Sequence, residues 1–117
     1  MTRSLAASLA FISAISISPA YADARSDAKA HVEFGIAVAQ RGLWREAIYR
    51  WERATQIDPT YAAAHNNLAI AYEHEGELDK ARAAYEKALE LDPNNALIKQ
   101  NYELFKEIND RTTRSNQ

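Results

Sequence analysis

The chain has 117 residues, of which 47% are apolar and 26% are charged, and its formal net charge is −2. This length and composition are typical of one small soluble domain. The net charge gives no support for nucleic-acid binding, which needs a clustered basic surface. The chain has no cysteine, which excludes disulfides, thiolate metal sites and cysteine nucleophiles.

Residues 1–22 have the three-part layout of a secretory signal peptide. Arg3 provides the positive start, an uncharged apolar run follows, and Ala20-Tyr21-Ala22 places small residues at the two positions that a signal peptidase reads. The run is shorter than the about 20 apolar residues of a membrane-spanning helix. We expect cleavage after Ala22, a periplasmic or secreted bacterial protein, and no stable membrane insertion. The alternative is a segment retained as an N-terminal anchor.

Helical periodicity then predicts two pairs of helices. Glycine in the left-handed conformation ends the first helix of each pair, at Gly42 and Gly76. Pro59 and Pro93 end the second helices because proline lacks an N–H donor and disfavours helix in the preceding residue. The predicted helices are Ala28–Arg41, Trp44–Ile57, Ala62–Glu75 and a fourth that begins at about Asp79.

The two pairs are copies of one unit. Aligning residues 28–61 with 62–95 gives 11 identities in 34 positions. Both glycines and both prolines are in register, so the chain contains a duplicated structural repeat.

These residues resemble the tetratricopeptide repeat. The second unit offers Leu68, Ala69, Tyr72, Ala81, Tyr85, Ala88 and Pro93 at the positions of the family pattern, and the first offers Phe34, Gly35, Ala47, Trp51, Ala54 and Pro59. The first unit departs from the pattern at Val38, where tyrosine is usual. The resemblance implies an all-α fold, a helix-turn-helix repeat solenoid with two units.

The rest of the chain is predicted to end this array. Residues 96–110 form an amphipathic helix with Ile98, Tyr102 and Phe105 on one face. It resembles the capping helix that covers the last apolar face of a repeat array. Residues 111–117 are polar and are predicted to be a disordered tail.

The resemblance also implies a binding site, since the family binds extended peptides or helices in a concave groove lined by the first helices. The positions that carry over are Lys29, Val32, Ile36, Gln40, Asn66, Asn67, Ile70, Glu73, His74, Leu97, Gln100 and Leu104, with Ala39, Ala63 and Asn101 beside them. Only Asn67 matches the family's mode of holding a C-terminal carboxylate, because Val32 and Ile36 replace a lysine and an asparagine. This departure favours an apolar segment or an amphipathic helix as the ligand.

His74 lies among four carboxylates in residues 71–81, which raises the alternative of a metal or acid–base site. Neighbouring helical residues do not share a face, and His65 and His74 are about 13.5 Å apart along a helix. His31 and His65 occupy equivalent helices, about 8–10 Å apart. We therefore interpret the cluster as the hydrated last turn of a helix, and we expect no metal, no cofactor and no enzymatic activity.

The predicted function is that of a non-enzymatic adaptor or assembly factor with a protein or peptide partner. The resemblance suggests a role beside pilus, secretion, cytochrome-maturation or cell-wall machinery, and the residues do not distinguish these. The alternative is a self-associating structural module that forms a homodimer. A metal-binding protein is the third hypothesis.

Overall fold

A computed structural model describes residues 18–117, which form five helices and no strand. The helices are α1 (Pro19–Ala39), α2 (Trp44–Ile57), α3 (Ala62–His74), α4 (Leu78–Leu91) and α5 (Ala96–Ser115). α1 packs against α2 and α3 against α4, while α2 also contacts α3 and α4 contacts α5. The predicted all-α repeat fold is confirmed. Most of the predicted signal peptide, residues 1–17, lies outside the described residues.

The turns between paired helices have the chemistry that the sequence predicts. Gly42 and Gly76 adopt φ angles of 79° and 75°, in the left-handed region that side chains disfavour. Beyond Gly42, the Leu43 N–H donates to the Val38 carbonyl at 3.0 Å. The Glu77 N–H makes the corresponding bond after Gly76, at 2.8 Å. Both first helices therefore end in a Schellman motif.

α1 is longer than predicted, because it begins at Pro19 and not at Ala28. Proline suits the first helical position, where its missing N–H would have no partner. Further along this extension, the Arg25 guanidinium forms an ion pair with Asp58 at the end of α2. The predicted cleavage point after Ala22 thus lies in the first turn of α1.

α5 is also longer than predicted, since it continues through residue 110 to Ser115. Arg111 pairs with Glu107 one turn earlier, at 2.5 Å, and the hydroxyls of Thr112 and Thr113 donate to carbonyls four residues back. These local contacts extend the helix over residues 111–115. They correct the prediction of a disordered tail from residue 111.

The core of the first unit depends on the contact of Trp51 with Gly35. Trp51 is buried, and its indole N–H donates to the Val32 carbonyl at 3.0 Å. A Cβ atom added at Gly35 would lie 2.7 Å from Cε2 of Trp51, which is too close for any real contact. α1 therefore approaches α2 closely only because residue 35 has no side chain.

The second unit makes the equivalent contact with tyrosine in place of tryptophan and alanine in place of glycine. Ala69 and Tyr85 occupy the positions of Gly35 and Trp51, and both are buried. The Tyr85 hydroxyl donates to the Glu73 carboxylate at 3.1 Å. Burial and this carboxylate raise the pKa of Tyr85 above its ordinary value, so the phenol remains a donor.

Tyrosine–glutamate hydrogen bonds also join successive units. The Tyr72 hydroxyl on α3 donates to Glu52 on α2 at 2.7 Å, and Tyr102 on α5 donates to Glu86 on α4 at 2.8 Å. Tyr102 also stacks on Tyr85, with ring centroids 5.5 Å apart. α5 is thus held by the same kind of contact that holds α3.

The face of α5 that a further helix would cover is charged. Glu103 takes the position of Gly35 and Ala69, and it is exposed and paired with Lys106 at 2.8 Å. A charged side chain at this position prevents the close approach that the small residues allow. No helix of residues 18–117 is both long enough and apolar enough to cross a membrane.

We predict that Gly35→Ala destabilises the protein by about 1–3 kcal/mol, because the added methyl group overpacks the contact with Trp51. This sign is opposite to that of an ordinary helical Gly→Ala substitution, which stabilises by roughly 0.5–1 kcal/mol. Urea unfolding followed by circular dichroism measures the effect.

Adding Trp51→Tyr to Gly35→Ala recreates the pair of the second unit. The double variant should lose less stability than the sum of the two single losses. Strict additivity of the two single losses, or stabilisation by Gly35→Ala alone, would contradict this account of the core.

Candidate functional site

The first helices of the units, α1 and α3, and the capping helix α5 share one row of aliphatic side chains. Ile36, Ile70 and Leu104 follow one another at the repeat spacing of 34 residues. Ile36 is 41% exposed and Leu104 is 56% exposed, while Ile70 is partly buried. Large aliphatic groups that repeat along one exposed surface are typical of an interaction site.

Two cavities open along this surface. The larger has a volume of about 560 Å³ and lies between α1, α3, the start of α5 and the loops that precede α3 and α5. Its lining residues are Arg25, Val32, Glu33, Ile36, Thr60, Tyr61, Ala62, Ala63, Asn66, Asn67, Leu91, Asp92, Asn95, Leu97 and Ile98.

The smaller cavity has a volume of about 310 Å³ and is lined almost entirely by apolar groups. Its lining residues are Ile36, Ala39, Gln40, Trp44, Trp51, Asn67 and Ile70. Because Ile36 and Asn67 line both cavities, the two are adjacent, and we call them together the concave groove. It has an apolar end beside Trp44 and a polar end beside Asp92.

The structure brings seven of the predicted groove residues to this depression. They are Val32, Ile36, Gln40, Asn66, Asn67, Ile70 and Leu97. Val32 and Asn66 are each 5% exposed, so they form the floor of the groove. The Asn66 Oδ1 atom accepts a hydrogen bond from the Asn101 amide at 3.2 Å, and this bond links α3 to α5.

Five predicted residues line neither cavity. Lys29, Gln100 and Leu104 are exposed on the same helices. Glu73 accepts the hydrogen bond from Tyr85, and the His74 ring stacks on Trp44 with centroids 4.1 Å apart. Glu73 and His74 are therefore engaged within the molecule.

The residues at the polar end of the groove are not among the groove residues predicted from the sequence. Arg25 comes from the extension of α1, Tyr61 from the loop before α3, and Asp92 and Asn95 from the loop before α5. Asp92 belongs to the Asp-Pro turn of the second unit, and Tyr61 and Asn95 occupy equivalent positions after the two turns. This repeated position is the signal that could have identified them.

Arg25 is bound firmly at this end. Its guanidinium donates to Asp58 and, at 3.2 Å, to the Thr60 hydroxyl, and it lies 4.6 Å from the ring centre of Tyr61. Burial raises the pKa of Asp58, but hydrogen bonds from Thr60 and Arg25 outweigh it and hold that pKa below its ordinary value. The two charges therefore form a compensated pair at the edge of the groove.

The histidines make separate contacts. His65 Nε2 lies 2.9 Å from the Pro59 carbonyl oxygen, and His74 stacks on Trp44. Within residues 18–117, no three histidine, aspartate or glutamate side chains are grouped as metal ligands. The chemistry that the groove offers is recognition by apolar contact, amide groups and carboxylates.

Comparison with known proteins agrees with this architecture. A family model described as "Tetratricopeptide repeat" matches residues 62–95, and a second one, described as "TPR repeat", matches residues 35–76. No curated protein matches the chain.

The chain is similar to pilF of Pseudomonas aeruginosa, whose solved structure it matches with a TM-score of 0.69 at 34% sequence identity. The match covers 78% of this chain and 40% of the pilF chain, so this chain spans less than half the length of that relative. The two matched repeats and the shared fold place the chain in a group of generally non-enzymatic scaffolds that bind protein partners. The chain belongs to the tetratricopeptide repeat family.

Proposed function

We propose that this protein is a non-enzymatic adaptor or assembly factor that binds an apolar peptide segment or an amphipathic helix in the concave groove. The observation that carries the proposal is the continuous apolar end of the groove, where Ile36 and Ile70 lie beside Trp44 and Trp51. Burial of such a surface by a partner is favourable by about 25 cal/mol for each Å² of apolar area.

The spacing of the helices suits a helical ligand. Packed helices lie about 8–10 Å apart, and residues i and i+7 of an α-helix are about 10.5 Å apart along its axis. A ligand helix that crosses α1 and α3 would thus place one side chain on Ile36 and a second on Ile70. Asn67, which lies between the two cavities, offers its amide to the ligand backbone or to a polar side chain.

We further propose that the protein is exported to the bacterial periplasm and that its signal peptide is removed after Ala22. The similarity to a protein of Pseudomonas aeruginosa supports a bacterial setting. Cleavage there would remove Tyr21, whose hydroxyl lies 2.6 Å from that of Thr60. It would keep Arg25 and its ion pair with Asp58, so α1 would remain attached to the loop before α3.

We predict that Ile36→Glu combined with Ile70→Glu removes a partner that the wild-type protein captures by crosslinking in the envelope fraction. Two carboxylates in the apolar end would have to lose their hydration when a ligand covers them, which is strongly unfavourable. Quantitative mass spectrometry of the captured proteins measures the loss, and circular dichroism verifies that both proteins are folded.

The matched control is Tyr49→Glu combined with Leu78→Glu. These side chains are 54% and 41% exposed and lie outside the groove. The control should retain the partner. Retention of every partner by the groove variant, or equal loss in the control, would refute binding in the groove.

We predict that the protein recovered from the periplasm begins at Asp23, which intact-mass spectrometry and N-terminal sequencing measure. The mature chain should be Asp23–Gln117. A chain that retains residues 1–22 and sediments with membranes would instead support an uncleaved anchor.

A second candidate function is self-association, because α5 displays an apolar stripe that includes Leu97 of the groove lining and Leu104 of the aliphatic row. Leu97, Leu104 and Ile108 are 61%, 56% and 50% exposed and lie along one face of the helix. A homodimer through this face would be the self-associating structural module that is the alternative to the adaptor. Light scattering on the mature protein distinguishes them: a mass that stays monomeric at all micromolar concentrations supports the adaptor, and a dimer that Leu104→Glu dissociates supports self-association.

A further inference from the structure

The two Asp-Pro turns present equivalent carboxylates. Asp58 follows α2 and Asp92 follows α4, each as the C-cap residue of its helix. Their backbones are alike, with φ and ψ of −134° and 92° at Asp58 and of −140° and 74° at Asp92. The two units therefore place an acidic side chain at the same structural position.

In the first unit this carboxylate is buried and accepts hydrogen bonds at both oxygens. Asp58 is 2% exposed. It accepts hydrogen bonds from Arg25, from the Thr60 N–H at 3.0 Å and from the Thr60 hydroxyl at 2.7 Å. The cation is supplied by the extension of α1, an element for which the second unit has no counterpart, since α3 begins only at Ala62.

In the second unit the equivalent carboxylate has a single side-chain partner. Asp92 accepts one side-chain hydrogen bond, from the Asn95 amide at 3.0 Å, and none of the ion pairs within residues 18–117 includes it. An ionised carboxylate offers about four acceptor sites. Asp92 is partly exposed and lines the larger cavity, so its free acceptor capacity adjoins the concave groove.

The groove lining as a whole is also negatively charged, like Asp92. Its charged residues are Arg25, Glu33 and Asp92. The charge of Arg25 is compensated by Asp58, and no ion pair within residues 18–117 includes Glu33. The polar end of the groove thus presents two carboxylates without a compensating cation, next to apolar surface from Leu97 and Ile98.

We propose that the ligand of the concave groove is an apolar peptide segment that carries an arginine or lysine, and that this cation pairs with Asp92 as Arg25 pairs with Asp58. The inference rests on the proposed function and specifies the chemistry of the partner. An arginine would donate a charge-assisted N–H···O bond to the carboxylate, as Arg25 does to Asp58, while the apolar side chains of the same segment occupy the end of the groove beside Trp44. The internal ion pair of the first unit is the template for this contact.

The test uses synthetic helical peptides that carry leucines at i, i+4 and i+7 and one variable residue, placed at each remaining position in turn. The variable residue is arginine, glutamine or glutamate, and fluorescence anisotropy measures the affinity of each peptide for the mature protein. We expect the best arginine peptide to bind about tenfold more tightly than its glutamine counterpart, with a preference that weakens at high salt.

Asp92→Asn should abolish this preference, so that the arginine and glutamine peptides bind with about equal affinity, because the charge of the side chain is lost while its shape is kept. Asp92→Arg should reverse it in favour of the glutamate peptide, which keeps the test decisive if one variant folds poorly. Glu90→Gln neutralises an exposed carboxylate of α4 outside the groove and should leave the preference unchanged.

The outcomes separate the two proposals. If glutamine peptides bind and Ile36→Glu with Ile70→Glu abolishes their binding, but arginine adds nothing, the cation pair is refuted and the groove function stands. A preference for arginine that survives in Asp92→Asn refutes the cation pair as well. If no peptide of the series binds, both proposals are overturned.

Discussion

The contact between Trp51 and the backbone of α1 at Gly35 is the constraint on which the first unit depends. The indole lies where a Cβ atom would otherwise be, and its N–H donates to the Val32 carbonyl. This contact sets the separation and rotation of α1 relative to α2, and with them the direction in which Val32 and Ile36 project. The second unit reaches a similar arrangement with Ala69 and Tyr85, a pair in which the smaller ring is matched by the larger small residue.

Small residues and aromatic rings form the contact between paired helices, so the groove side of the first helices contributes less to the core, and of its aliphatic row only Ile70 packs against the core. Ile36, Ile70 and Leu104 are therefore partly or largely exposed, although isoleucine and leucine are among the residues most often buried. A surface of this kind lowers its free energy when a partner covers it. α5 differs at Glu103, the position equivalent to Gly35 and Ala69. There it presents an exposed charged side chain, which pairs with Lys106, in place of a small residue that allows close packing.

The two units share the Asp-Pro dipeptide that ends their second helices, but the partners of the aspartate differ. Asp58 and Asp92 have similar backbones, but only Asp58 has a cation, because the extension of α1 carries Arg25 to it. Burial of Asp58 without that cation would be costly. The openness of Asp92 is thus a consequence of the position of its unit in the array, and it gives the groove a charged end as well as an apolar one.

The sequence by itself determined the repeat and most helix ends, because the repeat is a property of the residue order and helix ends depend on interactions within a few residues. Glycine at a left-handed φ, proline after a helix and apolar groups at helical spacing act locally, and the structure confirms Gly42 and Gly76 in these roles. Only the tertiary structure decided which groove positions face the cavity. Val32 and Asn66 form its floor, Glu73 and His74 bind Tyr85 and Trp44, and Arg25 meets Asp58 across 33 positions of the chain. Such partners depend on the angle and separation at which whole helices pack, and a pattern read along one helix carries no information about either.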